Sequence, residues 1–130
     1  MTRHEERESV FCLCFEYSLN ITPTQELIEL AQLCRELVVT DYVEETFAGI
    51  IEHRKEIDEK IKENIKGWKL ERLSKVSLAV LRLAVYEILF SDNVPASVAI
   101  NEAVELAKAY DTDEAPAFIN GVLGSISRTK

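Results

Sequence analysis

The chain has 130 residues, which is long enough to bury a hydrophobic core without disulfide or metal support, so a single domain over residues 1–130 is expected. Its formal net charge of -8 would repel a polyanion, and any nucleic-acid contact must therefore come from a local basic patch or from a partner. Three cysteines without a Cys-x-x-Cys pair, and a charged start, favour a reducing cytoplasm. The longest apolar run, residues 78–90, is shorter than the ~20 residues that cross a bilayer, so no membrane association is expected.

Helical spacing of apolar residues dominates the chain, with four glycines, three prolines and no sustained alternation that would indicate strands. The first predicted helix has a wide apolar face that should meet more than one neighbour, formed by Val10, Phe11, Leu13, Cys14, Phe15 and Tyr17. Thr22, Pro23 and Gln25 form a capping box that starts a second helix. The core face of that helix is Leu27, Leu30, Ala31, Cys34, Leu37 and Val38.

Four further helices follow. Asp41 is predicted to cap a third helix, with Glu44 at N3 and an apolar stripe that continues from Val43 through Ile65 to Gly67. Ser74 is predicted to cap a central helix that is apolar on nearly all sides. Pro95 opens the next helix, with Ile100, Ala103, Val104, Ala107 and Tyr110 inward. Asp113 is predicted to cap the last helix, which tolerates Pro116 in its first turn and buries Ala115, Phe118, Ile119, Val122, Leu123 and Ile126. The chain is therefore predicted to be all-α, a compact bundle of about six to seven helices.

No catalytic or cofactor site is predicted. His4 and His53 lack the convergent groups that a catalytic residue needs, and no phosphate loop or metal-binding motif occurs. Cys12 and Cys14 are two apart on a helix and point in different directions, so buried structural thiols are favoured over a shared metal. Gly121 and Gly124 are expected to let another backbone or a ligand approach closely.

Positive charge is concentrated in residues 60–75. Lys62, Lys66 and Lys69 would share a helix face if Gly67 does not break the helix, and Trp68 could stack on single-stranded RNA. The alternative is a solvated helix end with Trp68 in the core.

Glu87 is unusual because it lies within the apolar central helix. A carboxylate there needs a partner, either inside the fold or on another protein, and the residues alone leave both possibilities open.

Four motifs in the C-terminal half resemble the NusB family of transcription antitermination factors, in family order and spacing. They are "LRLAVYE" at 81–87, "VP" at 94–95, "VAINEAVELAK" at 98–108 and "FINGVL" at 118–123. "NIKGWKLERLSKV" is similar to the family's connector, and "RESVFCLCFEY" to its first helix, more weakly.

The resemblance implies an all-α fold of two packed helical subdomains and a non-catalytic role in transcribing ribosomal RNA operons. The implied partners are NusE, a small-subunit ribosomal protein, and boxA RNA. Other Nus factors and RNA polymerase would be contacted indirectly.

The family pattern also implies site residues. RNA would be contacted by Arg3 and Arg7, by Lys66 and Lys69, and by Glu114 and Phe118. The NusE surface would include Tyr86, Glu87 and Glu114.

This chain departs from the family at its start. It has "RHEERE" where the family usually has several arginines, and Cys12 and Phe15 replace a typical Gln and Tyr. Fewer phosphate-facing cations predict weaker, less salt-dependent RNA binding.

Two rival hypotheses follow. The first is a protein-interaction module or homodimer of the same fold with weakened RNA binding, and the choice between monomer and homodimer is left open. The second is a piece of an RNA cytosine methyltransferase that carries a NusB-like domain. The absence of a Gly-rich loop and of a catalytic Pro-Cys argues against methyl transfer.

Overall fold

The computed structural model describes residues 2–19 and 39–129. These ranges contain no strand and six α-helices: α1 Arg3–Leu19, α2 Asp41–Glu52, α3 Arg54–Asn64, α4 Lys75–Phe90, α5 Ala96–Tyr110 and α6 Ala115–Arg128. A short 3-10 turn, Leu70–Arg72, precedes α4. The predicted all-α fold is confirmed, while the capping box at Thr22 and the core face from Leu27 to Val38 lie outside the described residues.

Helix α4 is the centre of the bundle and contacts each of the other five α-helices. Its side chains are buried on almost every side, from Leu78 near its start to Ile88 near its end. The Ser74 hydroxyl accepts a hydrogen bond from the Ser77 backbone N–H at 3.0 Å, which confirms the predicted cap. Because α4 is apolar on almost every side, the other helices can all bury their apolar faces against it.

Helix α1 packs on α4 and α2 through the predicted wide face, in which Val10, Phe11, Leu13 and Cys14 are buried. Helix α1 runs antiparallel to α4. Arg7 near the start of α1 contacts Glu87 near the end of α4, and Phe15 near the end of α1 lines the same groove as Val76 near the start of α4. The amino terminus of α1 therefore lies beside the carboxyl end of α4.

The predicted third helix is wrong in two details. Thr40, not Asp41, is the N-cap, since its hydroxyl accepts from the Val43 N–H at 3.3 Å. Asp41 is instead the first helical residue, where its charge complements the helix dipole. The apolar stripe is also divided at His53 between α2 and α3, and the side chains on both sides, Phe47 and Ile57, remain buried.

The predictions for the last two helices each need one correction. Pro95 opens α5, but Tyr110 is 46% exposed and Leu106 is buried instead. Glu114, not Asp113, precedes α6 as its cap residue. Asp113 has no suitable donor three residues on, because Pro116 lacks an N–H, and the Ala115 N–H already bonds to the Thr112 carbonyl at 3.2 Å.

No part of the described chain outside α6 approaches Gly121 or Gly124 closely, and the predicted approach of a ligand or another protein there stays a prediction. A Cβ at Gly121 would meet nothing within 4 Å, and one at Gly124 would meet only Arg128 Nη1, at 3.4 Å. The tight glycine is Gly49 in α2, where a Cβ would lie 2.6 Å from Cε1 and Cζ of Tyr86. Gly49 therefore allows the Tyr86 ring of α4 to lie against the α2 backbone.

Candidate functional site

A buried ion pair ties α1 to α4. Arg7 Nε and Nη2 donate to Glu87 Oε1 and Oε2 at 2.9 and 3.1 Å, and the two residues are 4% and 2% exposed. Tyr42 Oη donates to the same carboxylate at 3.0 Å. Burial disfavours the charge on Arg7, but the hydrogen bond and charge of Glu87 outweigh it and raise the Arg7 pKa. Of the two possibilities for Glu87, the structure shows the internal pair.

Arg3 lies on the surface at the same end of the molecule. Its guanidinium carbon is 3.9 Å from the centroid of the Tyr42 ring, and its Nε is 3.7 Å from Glu6 Oε1. The side chain is 54% exposed at the rim of a cavity of about 460 Å³ that also contacts Asn93 and Val98. Of the two arginines predicted to contact RNA, only Arg3 presents its charge to solvent here.

His4 continues this polar cluster toward α5. Its Nδ1 lies 2.7 Å from Glu102 Oε2, and Glu102 Oε1 lies 3.9 Å from Arg7 Nη1. The hydrogen bond to Glu102 is the main cause of a raised His4 pKa, and the charge of Glu8 adds to it. These contacts give His4 an electrostatic role in holding the two helices together.

The second group of predicted RNA contacts surrounds Trp68, ahead of α4. Trp68 is 58% exposed and its ring centroid lies 6.0 Å from that of Phe118. Lys66 and Lys69 flank it and are exposed. The condition for a shared lysine face is not met, because α3 ends at Asn64 and Gly67 has a φ of 78°. The alternative that places Trp68 in the core is wrong.

Beside the Trp68 and Phe118 rings is an open cleft of about 310 Å³, which we call the aromatic cleft. It is lined by Trp68, Arg72, Leu73, Ser74, Ser77, Asp111, Thr112, Glu114, Ala115 and Phe118. Asp111 fixes its floor by accepting hydrogen bonds from the hydroxyls of Ser74 and Ser77 and, at 2.8 Å, from the Thr112 N–H. The cleft thus combines the exposed Trp68 and the half-buried Phe118 with the basic Arg72 and the acidic Glu114.

The structure brings two of the three predicted groups of RNA contacts together around Trp68 and the aromatic cleft, and leaves the third group, Arg3 and Arg7, apart from them. The aromatic cleft reaches Ser77 in the first turn of α4, whereas the Arg3 cavity reaches Ser91, just beyond its last turn. Fourteen residues of helix separate these positions, or about 20 Å at 1.5 Å per residue. A ligand that meets both regions must extend along the bundle.

The predicted partner residues are also dispersed. Tyr86 is half-buried against Gly49, with its ring 5.8 Å from Phe90, and burial and the charges of Glu52 and Glu45 raise its pKa. Glu87 is buried, and Glu114 lies at the aromatic cleft. Tyr86, Glu87 and Glu114 therefore do not form one continuous surface.

The sequence analysis did not predict an apolar groove that lies between α1, the start of α4 and the end of α5. We call it the α1 groove; it is lined by Phe11, Cys12, Phe15, Val76 and Tyr110 and has a volume of about 230 Å³. The Phe11 and Tyr110 rings are 5.0 Å apart, and Tyr110 Oη donates to Glu8 Oε2 at 2.8 Å. The width of the α1 apolar face was the signal that could have identified it.

Other site classes receive no support from the described residues. Residues 2–19 and 39–129 hold no group of His, Cys, Asp or Glu that could bind a metal ion. Within the same ranges no helix has the length and apolar character needed to span a membrane. Burial raises the pKa of the Cys14 thiol to about 12, as expected for a structural cysteine.

Comparison with known proteins identifies the same family as the C-terminal motifs and extends the match over almost the whole chain. The profile of the NusB family matches residues 4–128. The chain is 43% identical to the transcription antitermination protein NusB of Clostridium novyi (strain NT), over 97% of this chain and 98% of the relative. It is 46% identical to that of Agathobacter rectalis, over 98% and 100%.

Solved structures agree with the fold. NusB of T. maritima aligns with a TM-score of 0.86 and 33% identity, over 98% of this chain and 92% of that chain. A crystal structure of the antitermination factors NusB and NusE in complex with double-stranded RNA contains a chain that aligns with a TM-score of 0.87 and 25% identity, over 98% and 97%. The chain described here belongs to the NusB family.

Proposed function

We propose that this protein is a non-catalytic transcription antitermination factor that acts in the cytoplasm as an adaptor. It binds the ribosomal protein NusE and, together with NusE, boxA-type RNA in ribosomal RNA operon transcripts. Its links to other Nus factors and to RNA polymerase are indirect. The observation that carries this proposal is near-full-length similarity to proteins named for antitermination, one of which was crystallised with NusE and RNA.

The aromatic cleft is the proposed contact for unpaired RNA bases. Base stacking on aromatic rings is worth about 1–3 kcal/mol per base and tolerates any sequence. Trp68 and Phe118 supply the rings, while Lys66 and Lys69 supply charge for phosphates. Because the net charge is -8, this local patch has to supply the attraction that the whole chain lacks.

The α1 groove is the proposed contact for NusE. Among the residues that line the groove, Tyr110 is exposed and Phe15 and Val76 are half-buried. Accessible aromatic and apolar side chains around a concave surface are typical of protein interfaces, where aromatic anchors dominate the affinity.

The α1 groove includes Val76 at the start of α4, the aromatic cleft includes Trp68, and no described residue lines both sites. One adaptor could thus hold protein and RNA at the same time. Tyr86, Glu87 and Glu114 stay predictions as partner contacts, with Glu87 reachable only if the buried ion pair opens.

The adaptor function is tested by mixing the purified protein with NusE at micromolar concentration and measuring complex formation by calorimetry or sedimentation. Labelled boxA RNA, with a scrambled RNA of equal length as the control, is then titrated into the complex. We expect a one-to-one protein complex that prefers boxA RNA. Absence of a complex with NusE would overturn the proposal.

A second candidate function, a protein-interaction module or homodimer with little RNA affinity, is favoured by one observation. The cations available for RNA are few, because Arg7 is buried and Glu5, Glu6 and Glu8 accompany Arg3. Replacing Glu5 and Glu6 by arginine should then create RNA binding that the native chain lacks. Equal RNA affinity before and after the change would exclude this candidate.

A further inference from the structure

The ion pair inside the bundle is connected to the surface arginine by a continuous chain of contacts. Arg7 holds the Glu87 carboxylate through two hydrogen bonds, at 2.9 and 3.1 Å. Glu87 in turn accepts a hydrogen bond from the Tyr42 hydroxyl at 3.0 Å. The Tyr42 ring carries the guanidinium of Arg3 at 3.9 Å. Three helices, α1, α2 and α4, contribute to this chain.

From this geometry we propose that Arg7, Glu87 and Tyr42 are positioning residues for Arg3, and that, of the two arginines in α1, Arg3 is the one that contacts phosphate. The inference rests on the proposed RNA-binding function. It assigns a role to Tyr42 and moves Arg7 from an RNA contact to an internal support.

Tyr42 is suited to this role because each part of its side chain has a separate partner. The hydroxyl is held by Glu87, which restricts swinging of the side chain about its Cα–Cβ bond. Burial is the main cause of the raised Tyr42 pKa, followed by the charge of Glu87. The face of the fixed ring then offers a cation–π contact to a long, exposed side chain. Without this contact, the Arg3 side chain would lose more conformational entropy on binding a phosphate.

Burial excludes Arg7 from direct contact in this structure. The residue is 4% exposed, and its guanidinium donates two hydrogen bonds to the Glu87 carboxylate and lies 3.9 Å from a second carboxylate, that of Glu102. A phosphate could reach it only by displacing Glu87, which would leave that carboxylate buried without its cation. Arg3 has only a loose contact with Glu6, at 3.7 Å, and can exchange it for a phosphate.

The salt dependence of RNA binding tests the division of roles. Each phosphate contact contributes about 0.7 to the log–log slope for a single strand. We expect Arg3→Gln to reduce the slope by about 0.7, and the further changes Arg7→Met and Glu87→Met in that variant to leave the reduced slope where it is, in variants whose helical circular dichroism matches the wild type. A further reduction of about 0.7 in the triple variant would show that Arg7 contacts phosphate and would overturn the inference.

A readout in the RNA-free protein separates this inference from the proposed function. The Tyr42 ring should shift the Arg3 δ protons upfield in the nuclear magnetic resonance spectrum. Tyr42→Leu should abolish the shift, and Tyr42→Phe, which loses only the hydroxyl bond, should reduce it. Tyr110→Phe is the matched control, since it removes a tyrosine–carboxylate bond elsewhere and should change nothing.

Two outcomes of that measurement contradict the inference. They are unshifted Arg3 protons in the wild type and a shift that Tyr42→Phe leaves intact. If the wild type binds no RNA but the shift pattern holds, the proposed function fails while the positioning of Arg3 stands.

Discussion

Arg7 and Glu87 illustrate how a buried charge can be retained in an apolar bundle. Moving two ions out of water costs several kcal/mol each, and only good geometry with extra hydrogen bonds offsets that cost. Here the guanidinium is bidentate and Tyr42 satisfies a further acceptor site on the carboxylate. None of the buried side-chain polar atoms within the described ranges lacks a hydrogen-bond partner.

This pairing predicts strongly unequal effects of single and double substitution. Arg7→Met should destabilise the protein by about 3–5 kcal/mol, because Glu87 is left charged and buried. Adding Glu87→Met should restore most of that loss. Urea unfolding measures both variants, and a double variant as unstable as the sum of the two single variants would contradict the account.

His4 gives a pH dependence whose sign can be stated. Its folded pKa is raised above the ordinary 6.5, mainly by the hydrogen bond to Glu102, so the protonated form is stabilised in the folded state. The contribution is fully present below about pH 6.5 and is lost as the pH rises through the folded pKa. Because the side chain is 47% exposed, solvent screening makes the effect small.

Between about pH 6 and pH 9 we therefore expect the stability advantage of the wild type over His4→Gln to be largest at the acidic end and to be lost as the pH rises through the folded pKa of His4. Urea midpoints measured across that interval provide the test. Glu102→Gln should lose the same dependence. An advantage that grows with pH would refute the assigned sign.

At the scale of the helices, the α2–α4 contact depends on one glycine. Gly49→Ala should destabilise by about 1–3 kcal/mol, since the new Cβ would overlap the Tyr86 ring, which is also stacked on Phe90. Gly121→Ala is the matched control in α6, where the Cβ meets open space and a gain of up to about 1 kcal/mol is expected from helix propensity. Thermal unfolding of both variants decides the point. Equal shifts in the two would remove the special role of Gly49.

The α1 groove and the aromatic cleft should separate the two binding activities. Phe15→Ala should weaken NusE binding about tenfold, the loss typical of an aromatic anchor, and leave RNA binding by the free protein unchanged. Trp68→Ala should weaken RNA binding about tenfold, the loss of one stacked base, and leave NusE binding unchanged. Calorimetry with each partner measures both. Loss of both activities in either variant would contradict separate surfaces.

Across the whole molecule, local signals in the sequence predicted the elements well and the long-range pairings poorly. Ser74 and Pro95 mark helix starts through chemistry that acts within one turn. The predicted cap of α6 was one residue too early, because the Ala115 N–H donates to the Thr112 carbonyl instead of to Asp113. The residue types alone do not decide between two such neighbouring turns.

The candidate sites were less predictable for the same physical reason. The apolar context of Glu87 indicated a buried partner, but only the packing of α1 identifies it as Arg7, 80 residues away in sequence. Trp68 is exposed because a positive φ at Gly67 directs the chain away from α3, which periodicity does not report. Family motifs indicated the regions around Lys66 and Phe118, and the fold supplies the cleft between them.

The charge distribution of the whole molecule explains why an adaptor of this kind would need its partner. With a net charge of -8 and its two candidate RNA-contact regions separated by about 20 Å along α4, the chain alone offers RNA few simultaneous contacts. A basic partner held at the α1 groove would add cations and steepen the salt dependence.

The most direct test is therefore the affinity for boxA RNA, measured with and without NusE over a range of salt concentrations. We predict that NusE forms a stable complex and increases the affinity at least about tenfold near 0.15 M salt, with a steeper log–log slope. No complex at micromolar protein, or an RNA affinity that NusE does not change, would contradict the adaptor account.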